Sequence, residues 1–261
     1  MTLTVGAIII GDEIMSGRSQ DKHLPQLIEM LNKRGLRLSW ARYLGDDPER
    51  LTQALREAFS GTDVVFSFGG IGATPDDHTR QCAGAALAQP LALHPEAKAL
   101  IIERMKDVAQ EQGTEFDPLS PDNQHRLNMG VFPHGAHIIP NPYNKIPGFT
   151  CRGEKGATVH FVPGFPVMAW PMIESVLDQD YAKHFHADTW AERSLVVYGA
   201  IEGSLTNVMA ATEKQFSDIK VFSLPSVNHP VHGRHVELGV KGPADAVDAA
   251  FSFMTEGLAR M

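Results

Sequence analysis

Residues 64–80, VVFSFGGIGATPDDHTR, impose the tightest constraint on what this chain can fold into. A run of β-branched and aromatic residues without polar alternation suits a strand covered on both faces, as in a parallel sheet. The run passes directly into Gly69, Gly70 and Gly72, and a helix is expected after Thr74. Parallel strands need long crossovers, so the flanking sequence should alternate strand with helix. It does. Val5–Ile10 (VGAIII) is a second buried run, ended by Gly11, and Leu24, Leu27, Ile28 and Leu31 then repeat at helical spacing up to Gly35. Leu38–Leu44 predicts the next strand. Asp47 before Pro48 reads as an N-cap with proline at N1, opening a helix with Leu51, Ala54, Leu55 and Ala58 on one face. A longer helix is expected over 95–112, and residues 113–157, rich in Gly, Pro and Asn, read as short elements and loops. Thr158–Val162 is another strand, broken by Pro163-Gly164-Phe165-Pro166 and followed by a helix through Leu177. The prediction is an α/β domain over 1–178, with a mostly parallel sheet between two helical layers. After a polar linker within 180–192, the order strand, helix, strand, strand, helix predicts a small βαββα unit over 190–261.

Partners are narrowed by charge. The 261 residues carry 23 Lys+Arg against 31 Asp+Glu, a net charge of −8, which disfavours a general nucleic-acid or anionic-membrane surface. The first apolar run is too short to span a bilayer and lacks a basic leader, so a cytoplasmic protein is expected. Cys82 and Cys151 lie far apart, with no zinc or redox spacing. Twelve histidines invite a metal reading, but His229, His232 and His235 share neither a helix face nor a strand face. His134 with His137, and His184 with His186, are weaker pairs. No G-x-S-x-G elbow is present, and the ten methionines are scattered as core filler.

Four loops carry the candidate chemistry, and each follows an expected strand. The glycines at 69, 70 and 72 offer backbone amides to a phosphate, or else serve a tight turn. Thr74, Asp76 and Asp77 fit a capping pattern with Pro75 at N1, or else a carboxylate that holds Mg²⁺ beside a phosphate. Asp46 and Asp47 close a second strand. Gly11, Asp12 and Glu13, with Ser16, Gly17 and Asp21 beyond, follow the first, and Pro163, Gly164 and Pro166 follow another. In doubly wound sheets the carboxyl ends of strands gather into one crevice, so the four loops describe an anion pocket edged with carboxylates.

The segments GDEIMSGRSQDKHLPQLIEMLNKRG, YLGDDPERLTQAL, DVVFSFGGIGATPDDHTR, NPYNKIPGF and VPGFP resemble the Mog/MoaB molybdopterin-binding family, and more closely its CinA branch. They cover most of residues 4–170 in the family's order. Two departures stand out: Ile71 replaces the Thr or Leu of the usual GGTG or GGLG, and Ala73-Thr74 stands where Pro-Thr is commoner. The resemblance implies a three-layer α/β/α domain that binds a phosphorylated pterin or a nucleotide. It implies functional aspartates at Asp46 and Asp77, with Mg²⁺ between them. It also adds Thr79, Asn141 and Gly148 to the candidate ligand-binding residues. The tail, with GAIEGS at 199–204, resembles the KH-like module of CinA proteins; no nicotinamide-nucleotide amidase segment follows in this sequence, so deamidation is not expected. The CinA branch implies cleavage of a nucleotide pyrophosphate such as ADP-ribose or FAD. A non-catalytic molybdopterin-binding protein and a molybdopterin adenylyltransferase are the alternatives. Relatives of both kinds imply a homo-oligomer, dimer or trimer.

Overall fold

The computed structural model describes residues 3–186, 190–230 and 233–261. Contacts divide the chain into two units, Met1–Phe185 and His186–Met261. The first contains, in order, β1 (Val5–Ile10), α1 (Asp12–Met15), α2 (His23–Lys33), β2 (Leu38–Leu44), α3 (Pro48–Phe59) and β3 (Val64–Phe68). Next come α4 (Thr79–Leu87), β4 (Leu91–Leu93), α5 (Pro95–Gln112), α6 (Pro121–Arg126) and β5 (Val131–Pro133). The unit ends with β6 (His137–Ile139), β7 (Gly148–Arg152), β8 (Thr158–Val162) and α7 (Pro166–Asp180).

The main sheet runs β2-β1-β3-β8-β7-β6. Its first four strands are parallel, and β7 and β6 extend it antiparallel. Every residue of β1 and β3 is buried, as strands covered on both faces require. Alternation sorts β1 between two cores. Val5, Ala7 and Ile9 pack with Leu27, Leu31, Met172 and Ile173 from α2 and α7. Ile8 and Ile10 pack with Leu51, Leu55, Cys82 and Ala83 from α3 and α4 on the opposite face. These two cores make the three layers.

Two expectations are corrected by detail. The helix anticipated directly after Thr74 starts at Thr79, with no side-chain cap at His78. The helix after Pro166 runs on to Asp180 and holds Pro171 in its interior. The Asp47 cap stands: its Oδ1 accepts the Arg50 amide at 2.8 Å.

The second unit contains β9 (Trp190–Tyr198), α8 (Glu202–Gln215), β10 (Lys220–His229), β11 (Gly233–Pro243) and α9 (Ala244–Ala259). The strands form an antiparallel sheet in the order β10-β11-β9. Val236, Leu238 and Val240 of β11 pack against Leu205 and Val208 of α8 and Val247, Ala250 and Met254 of α9. The sheet therefore buries one face under two helices. His232 and part of the polar linker, residues 187–189, lie outside the described residues.

Candidate functional site

Because β2, β1, β3 and β8 run parallel, their carboxyl ends open at one edge of the sheet. A cavity of about 520 Å³ lies there, and all four following loops line it. The first supplies Gly11 and Glu13, the second Asp46, the third Gly69, Gly70, Asp76 and Asp77, and the fourth Gly164 and Pro166.

The glycine loop has its carbonyls tied down. Gly69 N–H donates to Val162 O at 3.0 Å, so that amide belongs to the sheet. Thr79 is fully buried and donates twice, its amide to Gly70 O and its hydroxyl to Gly69 O, each at 3.0 Å. Gly69 and Gly70 have φ of 100° and 68°, a region open to glycine and strained for other residues. Ile71 is buried in the core beside Ile10 and Leu51, which anchors the loop from below. The amides of Gly70, Ile71 and Gly72 find no acceptor among the described residues. Consecutive free amides form an anion-binding concavity.

Carboxylates form the facing wall. Asp12 and Asp46 clasp each other across β1 and β2: Asp12 N–H donates to Asp46 Oδ2 at 3.0 Å, and Asp46 N–H donates to Asp12 Oδ1 at 3.1 Å. Asp12 thus acts as a strut. Burial raises the Asp46 pKa, opposed by the Asp12 amide and reinforced by the charges of Asp12, Glu13 and Asp76. Asp77 closes a turn, donating its amide to Thr74 O at 3.0 Å while its Oδ2 accepts the Thr74 amide at 2.9 Å and the Thr74 hydroxyl. This turn replaces the expected helical cap: the segment is held between Thr74 and Gly70, and regular helix resumes only at Thr79.

Several candidates serve the walls from outside. Asp21 caps α2 by accepting the His23 amide at 2.8 Å, and it accepts the Tyr43 hydroxyl at 2.7 Å. Burial, then that bond and the Asp21 charge, push the Tyr43 phenol up to about 12. Ser16 and Gly17 belong to the exposed turn after α1, Gly72 and Thr74 to the loop behind the lining, and Pro163 precedes the residues that reach the cavity. Asn141 and Gly148 are not brought to it. Asn141 is buried and folds its own loop, donating to Asn144 Oδ1 and Ile146 O while accepting the Tyr143 amide. Gly148 is small because a side chain there would strike Phe161 O of the neighbouring strand.

Other lining residues escape a motif search. Lys22 is a cation among four lining carboxylates. His23 is buried against Phe68, with ring centroids 4.6 Å apart, and its Nε2 donates to Gly164 O at 3.0 Å. Burial lowers its pKa, opposed by the Gly164 bond and Asp21. Phe165, 65% exposed, presents an aromatic ring at the mouth. An aromatic between Gly164 and Pro166 in a strand-end loop was the available signal. Among the described residues, no three His, Cys, Asp or Glu side chains are grouped to hold a metal ion on their own.

A family model described as a probable molybdopterin binding domain matches residues 6–183, which contain every loop of this cavity. The chain belongs to that family. Its relatives are CinA-like. A CinA-like protein of Anaeromyxobacter dehalogenans is 33% identical over 165 residues, 63% of this chain and 38% of that protein. One from Citrifermentans bemidjiense is 28% identical over 219 residues, 84% of this chain and 50% of that protein. The chain thus spans half or less of these relatives' length. A crystal structure of CinA from Thermoplasma acidophilum, titled as of unknown function, superposes with a TM-score of 0.57 at 26% identity. It covers 68% of this chain and 97% of that one.

Proposed function

We propose that the cavity binds a phosphorylated pterin or nucleotide and hydrolyses a nucleotide pyrophosphate of the ADP-ribose class. The carrying observation is the pairing of partnerless glycine-loop amides with the Asp46, Asp76 and Asp77 carboxylates around one cavity. Amides alone would suit any anion; amides facing carboxylates suit an anion that arrives with a cation. Mg²⁺ is commonly held by one or two carboxylates plus substrate phosphate and water, so Asp46 and Asp77 are a sufficient protein share. The donor chemistry fits: the crowded acids that raise the Asp46 pKa are relieved by a divalent ion. Bound Mg²⁺ would supply charge neutralisation at the pyrophosphate.

The chain's own groups divide the remaining work. The Gly70 amide, without a protein acceptor at the cavity wall, holds a phosphate oxygen on which negative charge develops. A carboxylate oxygen of Asp46 or Asp77 that the ion leaves free takes a proton from the attacking water. The water oxygen bonds to one phosphorus, the bridging P–O bond breaks, and ADP-ribose yields AMP and ribose 5-phosphate. Lys22 offsets part of the acidic wall, and Phe165 offers a face to a base or pterin ring.

The test incubates the protein with ADP-ribose, FAD, NAD and ATP in the presence of Mg²⁺ and reads products by mass spectrometry. The Asp46→Asn/Asp77→Asn variant runs alongside. AMP from the wild-type protein alone is expected. Binding by thermal shift without cleavage of any compound would overturn the hydrolase and leave a ligand-binding module. The family model's molybdopterin description supports that second reading.

A further inference from the structure

Residues 73–77 also line a second cavity, of about 450 Å³. Thr74, His78, Arg80, Gln81, His125 and Asn128 help to line it. Arg80 is the unusual member. It is only 4% exposed, and its guanidinium forms no ion pair with any Asp or Glu among the described residues. Nη2 donates to Gly72 O at 2.6 Å, Nη1 makes no hydrogen bond, and Nε is buried without a partner. A buried arginine that lacks a counter-anion is costly, and its donor fork matches the oxygens of a phosphate.

The surroundings favour the same occupant. α4 begins one residue earlier, at Thr79, without a side-chain cap, its first amide held by Gly70 O. His125 Nε2 lies 2.8 Å from Ala73 O, so the ring donates there and its Nδ1 is the acceptor for the Asn128 side-chain amide at 3.4 Å. That contact uses one Asn128 N–H and leaves the other. Asp77 shares the wall, but its Oδ2 is occupied by Thr74, and its charge attracts the guanidinium only from beyond ion-pair distance.

We propose that this second cavity is a phosphate-binding site organised by Arg80, distinct from the cavity at the strand ends. An anion there takes up the unused guanidinium donors. Because Arg80 also holds Gly72 O, its occupancy is mechanically linked to the loop that carries Asp76 and Asp77. The phosphoryl group is either free phosphate or part of a nucleotide.

Inorganic phosphate is titrated into the 261-residue chain while ¹H–¹⁵N NMR follows the Arg80 Nε–H and the Asn128 side-chain amide. The expected result is a saturable shift at both. Asn128→Asp places a negative charge on an exposed wall position and should weaken that phosphate affinity by about tenfold, while its dispersed spectrum verifies the fold. Arg80→Gln should abolish the Asn128 response, and Asp46→Asn, which touches only the first cavity, should leave it intact. No saturable shift at Arg80 up to tens of millimolar phosphate, or an unchanged affinity in Asn128→Asp, overturns the site. A response lost in Asp46→Asn but kept in Asn128→Asp overturns it too, since the phosphate would then occupy the first cavity. Repeating the titration with ADP-ribose present identifies the source: competition indicates the nucleotide's phosphoryl group, and indifference indicates free phosphate. Either supports the site, whether or not ADP-ribose is cleaved.

Discussion

Thr79 donates to two successive carbonyls, Gly69 O and Gly70 O, and the amides that follow are left without protein acceptors at the edge of the cavity. One buried threonine, through its amide and its hydroxyl, therefore sets the electrical polarity of the loop. Asp46 sets that of the opposite wall. Its folded pKa is raised, so the folded state holds this proton more tightly than the unfolded chain does. The contribution to stability thus declines as pH climbs through the interval just above the usual carboxylate value of about 4. Asp46→Asn should raise the Tm of the ligand-free protein by about 1–2 °C near neutral pH, with the gain fading toward pH ~3.5. The same variant should lose Mg²⁺-dependent ligand binding. Scanning calorimetry across that pH range checks the first effect, and a mutant curve parallel to wild type would refute it. Glu13, Asp46, Asp76 and Asp77 were readable in the sequence because carboxylates after strands are expected at the crevice. The strut role of Asp12 was not, because a backbone clasp across two strands leaves no periodic signal. Asn141 and Gly148 illustrate the converse: motif residues whose duty is to fold a loop and admit a neighbouring strand.

At the level of elements, β1 was legible because a strand buried on both faces carries an unbroken apolar run, and β3 and β8 because β-branched and aromatic residues dominate them around Ser67 and His160. β4, β5 and β6, three residues each, are too short to carry a period. The start of α4 was missed because Thr-Pro-Asp-Asp satisfies the helix-start rules locally, while the tie from Thr79 N–H to Gly70 O, nine residues back, decides the outcome. β7 has a role the sequence conceals. Its Phe149 ring stacks between Phe132 and Phe161 at centroid distances of 4.5 and 4.4 Å, with no exposed surface. Phe149→Ala should cost about 3–5 kcal/mol of stability, read as a lower urea midpoint. A loss below about 1 kcal/mol would refute the assignment of Phe149 to the centre of this core. Both cysteines lie in this same core, where burial raises the Cys82 thiol and pushes that of Cys151 up to about 12, which suits structural rather than reactive thiols.

The chain carries three apolar cores in two units. The three-layer unit encloses two apolar clusters and the entire strand-end cavity, and the second unit closes its own cluster over β9, β10 and β11. A fragment ending at Phe185 should therefore fold alone and retain the ligand affinity of the full chain to within about threefold. Loss of cooperative unfolding in that fragment, monitored by circular dichroism, would show that the second unit supplies stability as well. The alternation of strand and helix made this architecture readable from the chain alone. No helix among the described residues is long and apolar enough to cross a membrane.

The Asp12–Asp46 clasp has a consequence for selectivity. It fixes a negative wall opposite the amides before any ligand enters, so the cavity presents both signs at once. A bare polyanion satisfies one side and is repelled by the other, whereas an ion-paired salt satisfies both. On the proposed reading, the pocket would be a filter for near-neutral complexes: it would discriminate the residual charge of the visitor, and only afterwards its shape.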